Sequence, residues 1–146
     1  MVQLKNNLRS KKNSYLNLAF EQAKINLGST KLNPSVGCVV ERNGSIISAG
    51  YTSINGRPHA EFNALNKNID FKKSNLYVTL EPCSHHGLTP PCTDIIKKKK
   101  ISRVFFPLTD VDKRSKNKST SILKKKNILV TKMKSKYILS NYFYKS

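Results

Sequence analysis

The stretch Asn75-Leu-Tyr-Val-Thr-Leu80, continued by Glu81-Pro-Cys-Ser-His-His-Gly-Leu-Thr-Pro-Pro-Cys92, decides how this chain is read. Its first six residues are short, apolar and β-prone, which predicts a buried strand. A polar loop follows. Pro90-Pro91 stand where a helix can begin, because the first helical position needs no N–H donor. Cys92 to Lys100 continue that helix, and Ile101 to Leu108 form the next strand.

Upstream, Tyr15, Leu16, Leu18, Ala19, Phe20, Ala23 and Leu27 recur at three- and four-residue steps, predicting a helix from Ser14 to about Leu27 that Gly28 stops. Val36-Gly-Cys-Val-Val40 and Ser45-Ile-Ile-Ser-Ala49 flank Arg42-Asn43-Gly44, and Asn-Gly is a strong hairpin signal. A second helix starts near His59 and runs to about Leu65. Downstream, a basic helix near Ser119–Lys126, a short strand Ile128–Thr131 and a helical tail Tyr137–Tyr144 complete the reading. The order α-β-β-α-β-α-β-α-β argues for an α/β fold, a mixed sheet with helices on both faces.

The chain has 146 residues, the size of one domain with one core, and residues 1–146 are expected to form a single domain. No apolar run is long enough to span a membrane, and the N-terminus lacks the form of a secretory signal. Three cysteines argue against a disulfide framework and for thiols free to bind metal. A cytoplasmic location is expected. The net charge of +19 is unevenly placed. Residues 1–32 carry six Lys/Arg against one acid, residues 97–146 carry sixteen against two, and residues 33–96 balance five against five. The excess is mostly Lys, whereas bidentate phosphate recognition favours Arg and single-strand binding favours interleaved aromatics. A solvated lysine face is therefore the leading reading of the flanks, and nucleic acid the weaker one.

The chemistry concentrates in the neutral segment, in Pro58-His-Ala-Glu61 and Glu81–Cys92. A hydrolytic zinc site needs three protein ligands and one position open to water. His59, Cys83 and Cys92 supply one imidazole and two thiolates. His59 and Cys92 fall at predicted helix starts, where free N–H groups favour a thiolate, and Cys83 follows the end of a strand. Glu61 is too close to His59 for both to ligate one ion easily. A carboxylate beside the ligands is what hydrolytic deamination requires as proton carrier, and the zinc deaminase pattern pairs a His-x-Glu with a Pro-Cys and a second Cys. His85 and His86 are alternative ligands to His59. Cys38, inside a predicted strand, reads as a buried core thiol, and Glu81 as a structural hydrogen-bonding residue.

On these residues the chain resembles the riboflavin-biosynthesis deaminase, the pyrimidine deaminase half of the bifunctional deaminase–reductase. The motifs that carry the resemblance are Thr30 with Asn33-Pro-Ser-Val-Gly-Cys38, His59-Ala-Glu61, and Tyr77-Val-Thr-Leu-Glu-Pro-Cys-Ser-His-His-Gly-x-Thr-Pro-Pro-Cys92. Eight residues separate Cys83 and Cys92, where tRNA-adenosine and cytidine deaminases typically have two. The resemblance implies a cytidine-deaminase-like three-layer α/β/α fold with a five-stranded mixed sheet. It implies one zinc ion on His59, Cys83 and Cys92, with Glu61 as catalytic proton shuttle and Asn33, His85 and Asp110 toward the substrate. That substrate would be 2,5-diamino-6-ribosylamino-4(3H)-pyrimidinone 5′-phosphate, whose 2-amino group leaves as ammonia to give 5-amino-6-ribosylaminouracil 5′-phosphate.

Several positions depart from the family pattern. Leu88 replaces a Lys or Arg expected to meet phosphate, Thr52 replaces an imidazole, and Asp110-Val-Asp-Lys113 replaces an Asp-Pro-Asn-Pro loop. Asn117 and Ser119 stand for two glycines. Phosphate would then fall to a Lys such as Lys113 or to a backbone N–H. The chain stops at Ser146, so no reductase activity is expected and a separate reductase chain would complete the pathway. A homo-oligomer is left open. Two other functions compete: a deaminase of RNA or a free base, motivated by the basic flanks, and a non-enzymatic zinc-stabilised binding module, motivated by the departures. The cysteine spacing counts against the first and Glu61 against the second.

Overall fold

A computed structural model describes residues 2–110 and 112–135. Five strands, β1 (Gly37–Arg42), β2 (Ser45–Tyr51), β3 (Asn75–Val78), β4 (Arg103–Phe106) and β5 (Leu129–Lys132), form one sheet in the order β2-β1-β3-β4-β5. β1 pairs antiparallel with both β2 and β3, while β3, β4 and β5 run parallel. The helices are α1 (Val2–Lys24), α2 (Ala60–Leu65), α3 (Cys92–Lys98) and α4 (Ser119–Lys124). The expected mixed five-stranded sheet between helical layers is what forms. The proposed helix Tyr137–Tyr144 lies outside the described residues.

Alternation along the strands separates the two faces. Cys38, Val40, Leu76, Val78, Val104 and Phe106 point to one side and pack with Ala60, Ala64 and Leu65 of α2, Ile96 of α3 and Leu123 of α4. Val39, Tyr77 and Phe105 point to the other. There Tyr77 stacks on Phe105 with ring centroids 4.7 Å apart, Tyr15 of α1 meets Tyr77 edge-on, and Leu16, Phe20 and Ala23 of α1 are buried. The hairpin turns at Asn43 (φ 52°) and Gly44 (φ 84°), the pair of positive φ angles that suits the twist of a two-residue loop.

Several boundaries differ from the sequence reading. α1 starts at Val2 rather than near Ser14, and it ends at Lys24, before Gly28. Its first half buries nothing, with Val2, Leu4 and Leu8 all exposed, so no apolar stripe marks it in the sequence. The strands β3 and β4 are also shorter than expected, because the chain leaves the sheet at Thr79 and Pro107.

The topology sets one end of the sheet apart. The carboxyl ends of parallel β3 and β4, the start of antiparallel β1 and the end of β2 all meet there. Loops at the carboxyl ends of parallel strands are the usual place for a site in an α/β sheet. Glycine brings the layers together: a Cβ on Gly50 would sit 2.5 Å from the Ala60 carbonyl and 2.7 Å from the Ala64 nitrogen. α2 therefore lies directly on β2, and its first turn is held over that end.

Candidate active site

His59 is the N-cap of α2, in extended conformation, and Glu61 is in the first turn. Cys83 lies just past β3, and Cys92 is the first residue of α3, whose N-cap is Pro91. The side chains of His59, Cys83 and Cys92 converge, with all three ligand atoms within 4.8 Å of one another. His59 Nδ1 is 3.7 Å from Cys83 Sγ and 3.5 Å from Cys92 Sγ. A tetrahedral zinc ion with Zn–S of about 2.3 Å and Zn–N of about 2.0–2.1 Å would hold those donors about 3.6 Å apart. Donor types and spacing both fit zinc. Among the described residues no other such group occurs. His86 is exposed, and His85 Nδ1 sits 2.5 Å from Ser115 Oγ instead.

The local electrostatics prepare the thiols. The Cys92 backbone N–H donates to Cys83 Sγ at 3.2 Å. Hydrogen bonding from the Cys92 thiol, and then from His59, pulls Cys83 down to about 4 despite burial. The same bond with Cys83, together with burial, pushes Cys92 up. His59 is raised chiefly by its hydrogen bond to Cys83. Glu61 is 4% exposed, and burial, followed by the charge on Cys83, raises its carboxyl to about 7. A metal cation beside it would act in the opposite sense. Cys38 differs from both site cysteines: fully buried, it contacts the Ala60 carbonyl at 3.4 Å, and burial holds its thiol well up.

These groups open into a cavity of about 200 Å³ lined by His59, Glu61 and Cys83 together with Asn33, Thr52, Arg57, Glu81, His85, Asp110, Asp112 and Arg114. Asn33, His85 and Asp110 thus line the same cavity as His59, Glu61 and Cys83. Asn33 Nδ2 donates to the Gly56 carbonyl at 2.9 Å, which leaves its carbonyl oxygen as an acceptor. Thr52 is consumed locally: its Oγ1 accepts the Val36 N–H at 2.9 Å and fixes the start of β1. Glu81 is 2% exposed and structural. Its Oε1 accepts from the N–H groups of Asp110 (2.9 Å) and Asn117 (3.0 Å), and its Oε2 from the Ser119 hydroxyl (2.7 Å) and N–H (3.3 Å). Asn117 takes a left-handed φ of 61°, a conformation that Asn tolerates better than most residues.

Residues 9–108 match the family model for the cytidine and deoxycytidylate deaminase zinc-binding region. The chain belongs to this deaminase family. It is 39% identical over 117 residues to the diaminohydroxyphosphoribosylamino-pyrimidine deaminase of Buchnera aphidicola subsp. Schizaphis graminum, covering 80% of each chain. It is 46% identical over 97 residues to riboflavin biosynthesis protein RibD of Actinobacillus pleuropneumoniae, 66% of this chain and 26% of that protein. A crystal structure of the diaminohydroxyphosphoribosylaminopyrimidine deaminase/5-amino-6-(5-phosphoribosylamino)uracil reductase of Thermotoga maritima superposes with a TM-score of 0.79. Identity is 38%, over 85% of this chain and 36% of that one. The chain spans between about a quarter and two fifths of the length of the RibD proteins named in these matches.

The deaminase family match agrees with the zinc-binding donor set and the α/β fold expected from the sequence. Arg57, Arg114 and Ser115 were not singled out by sequence reasoning. Arg57 stands two residues before His59, and its guanidinium is oriented by Thr89, far along the chain, whose Oγ1 accepts from Nη1 at 2.8 Å. Lys113, the expected phosphate substitute, is exposed and does not line the cavity. No helix among the described residues is long and apolar enough to cross a membrane.

Proposed function

We propose that the chain is a zinc-dependent deaminase of 2,5-diamino-6-ribosylamino-4(3H)-pyrimidinone 5′-phosphate. Ammonia and 5-amino-6-ribosylaminouracil 5′-phosphate would be its products. The observation that carries this reading is Glu61, a buried carboxylate in the same cavity as His59 and Cys83 but outside the ligand cluster. A purely structural metal site has no use for such a group.

His59, Cys83 and Cys92 would hold the zinc ion. Bound there, zinc supplies Lewis acidity that makes water a nucleophile near neutral pH. Glu61 does the proton work. It accepts a proton from the attacking water and passes it to the ring nitrogen beside the amino-bearing carbon, then takes the remaining proton of that water, now the hydroxyl on the ring carbon, and gives it to the departing amine. The C–N bond breaks, water's oxygen stays on the ring carbon, and ammonia leaves. Asn33 and Asp110 offer acceptors to the ring's amino groups, and His85 faces the same space from the opposite loop. The cavity of about 200 Å³ is smaller than the roughly 300–1,000 Å³ of sites for drug-sized ligands. It suits one enclosed ring with the ribosyl phosphate extending to the rim.

The test is ammonia release by the zinc-loaded protein from this substrate. Glu61→Gln should abolish turnover while zinc content stays at one per chain. Equal turnover by that variant would remove Glu61 from the mechanism.

A further inference from the structure

Four carboxylates line the cavity, Glu61, Glu81, Asp110 and Asp112, and two guanidinium groups, Arg57 and Arg114. A phosphate dianion enters such a place only beside a cation that is not already neutralised. Arg114 is committed: its Nη2 lies 2.7 Å and its Nε 3.1 Å from the two oxygens of Asp112. Leu88, between Gly87 and Thr89, is 89% exposed and apolar and offers no charge.

Arg57 has no carboxylate partner among the described residues. It is half-buried, and its one hydrogen bond there, to Thr89 Oγ1, aims the guanidinium and leaves further N–H groups free. Glycine leaves the adjoining space open. A Cβ on Gly87 would lie 3.5 Å from Arg57 Nη2 and 4.0 Å from His85 Nε2, so both nitrogens border the volume that a side chain would occupy.

We infer that Arg57, seated over Gly87 opposite His85, anchors the phosphate of a phosphoribosyl substrate and makes this chain select for it. The inference rests on the proposed deamination reading. A guanidinium fork meets phosphate oxygens bidentately, and Thr89 pre-orients this one.

The experiment compares wild type, Arg57→Gln and Arg57→Lys, all zinc-loaded, on the 5′-phosphate substrate and on its dephosphorylated riboside. Losing charge-assisted contacts to phosphate should lower the ratio of the two kcat/KM values by about 10- to 100-fold in Arg57→Gln. Arg57→Lys should recover part of it. An equal loss on both substrates, or no loss, overturns the inference. Ribose 5-phosphate, followed by ³¹P NMR titration, reads the anchor without turnover. A shift seen with wild type and lost in Arg57→Gln supports it, and identical titrations overturn it. If wild type binds ribose 5-phosphate through Arg57 yet releases no ammonia, the deamination reading fails while the anchor stands.

Discussion

Glu81→Gln isolates what the buried carboxylate contributes, since it removes one charge and one acceptor at nearly constant volume. Glu81 receives four hydrogen bonds, two on each oxygen, from Asp110, Asn117 and Ser119. Bonds to a charged acceptor are worth about 1.5–3 kcal/mol and bonds to a neutral one about 0.5–1.5 kcal/mol. The two bonds that stay on the amide oxygen therefore lose about 2 kcal/mol together. The amide nitrogen then faces the Ser119 N–H, leaving a buried donor unsatisfied at about 1–3 kcal/mol, while the Ser119 hydroxyl can turn and accept. Relief from burying a charge returns part of the loss. The expected net destabilisation is about 2–3 kcal/mol, read as a lower urea midpoint at unchanged slope. KM should rise too, because these bonds hold the loop that carries Asp110. A midpoint shift worth less than about 0.5 kcal/mol, within the range of an ordinary surface change, would refute the assignment of Glu81 as the tie between strand and loop.

Gly50→Ala should push α2 off β2, since its Cβ meets the Ala60 carbonyl at 2.5 Å; we expect about 1–3 kcal/mol lost in unfolding measurements and a matching fall in zinc affinity. Chelator dialysis should abolish ammonia release, and stoichiometric zinc should restore it. In iodoacetamide labelling read by mass spectrometry, Cys83 should react fastest after chelation and be protected by zinc. Cys38, fully buried, should stay unlabelled until the protein unfolds. Cys92→Ser should weaken zinc binding more than Cys38→Ser, measured by metal analysis after gel filtration.

Much of this arrangement was legible in the sequence because the local signals agreed. Asn43-Gly44 fixed the hairpin, the apolar run at Leu76–Val78 marked a buried strand, and Pro90-Pro91 placed the start of α3 within a residue. The cluster of His59, Cys83 and Cys92 was readable because each falls beside such a signal. Sheet order was not, since which strand lies beside β3 is decided by packing across the whole core. The first half of α1 escaped for want of a buried face. Arg57 escaped because its partner Thr89 and the opening at Gly87 belong to another loop, and contacts of that kind leave no period or spacing.

α2 and α3 have six and seven residues, well short of the roughly 12–15 at which an isolated helix becomes even marginal in water. Both owe their existence to the sheet beneath them. Ligands carried on such segments have no local preference for meeting, so the unfolded polypeptide offers a metal only scattered donors. Capture of the ion is coupled to completion of the tertiary structure. Metal loading would then act as a late checkpoint in maturation, passed only by molecules whose strands are already in register.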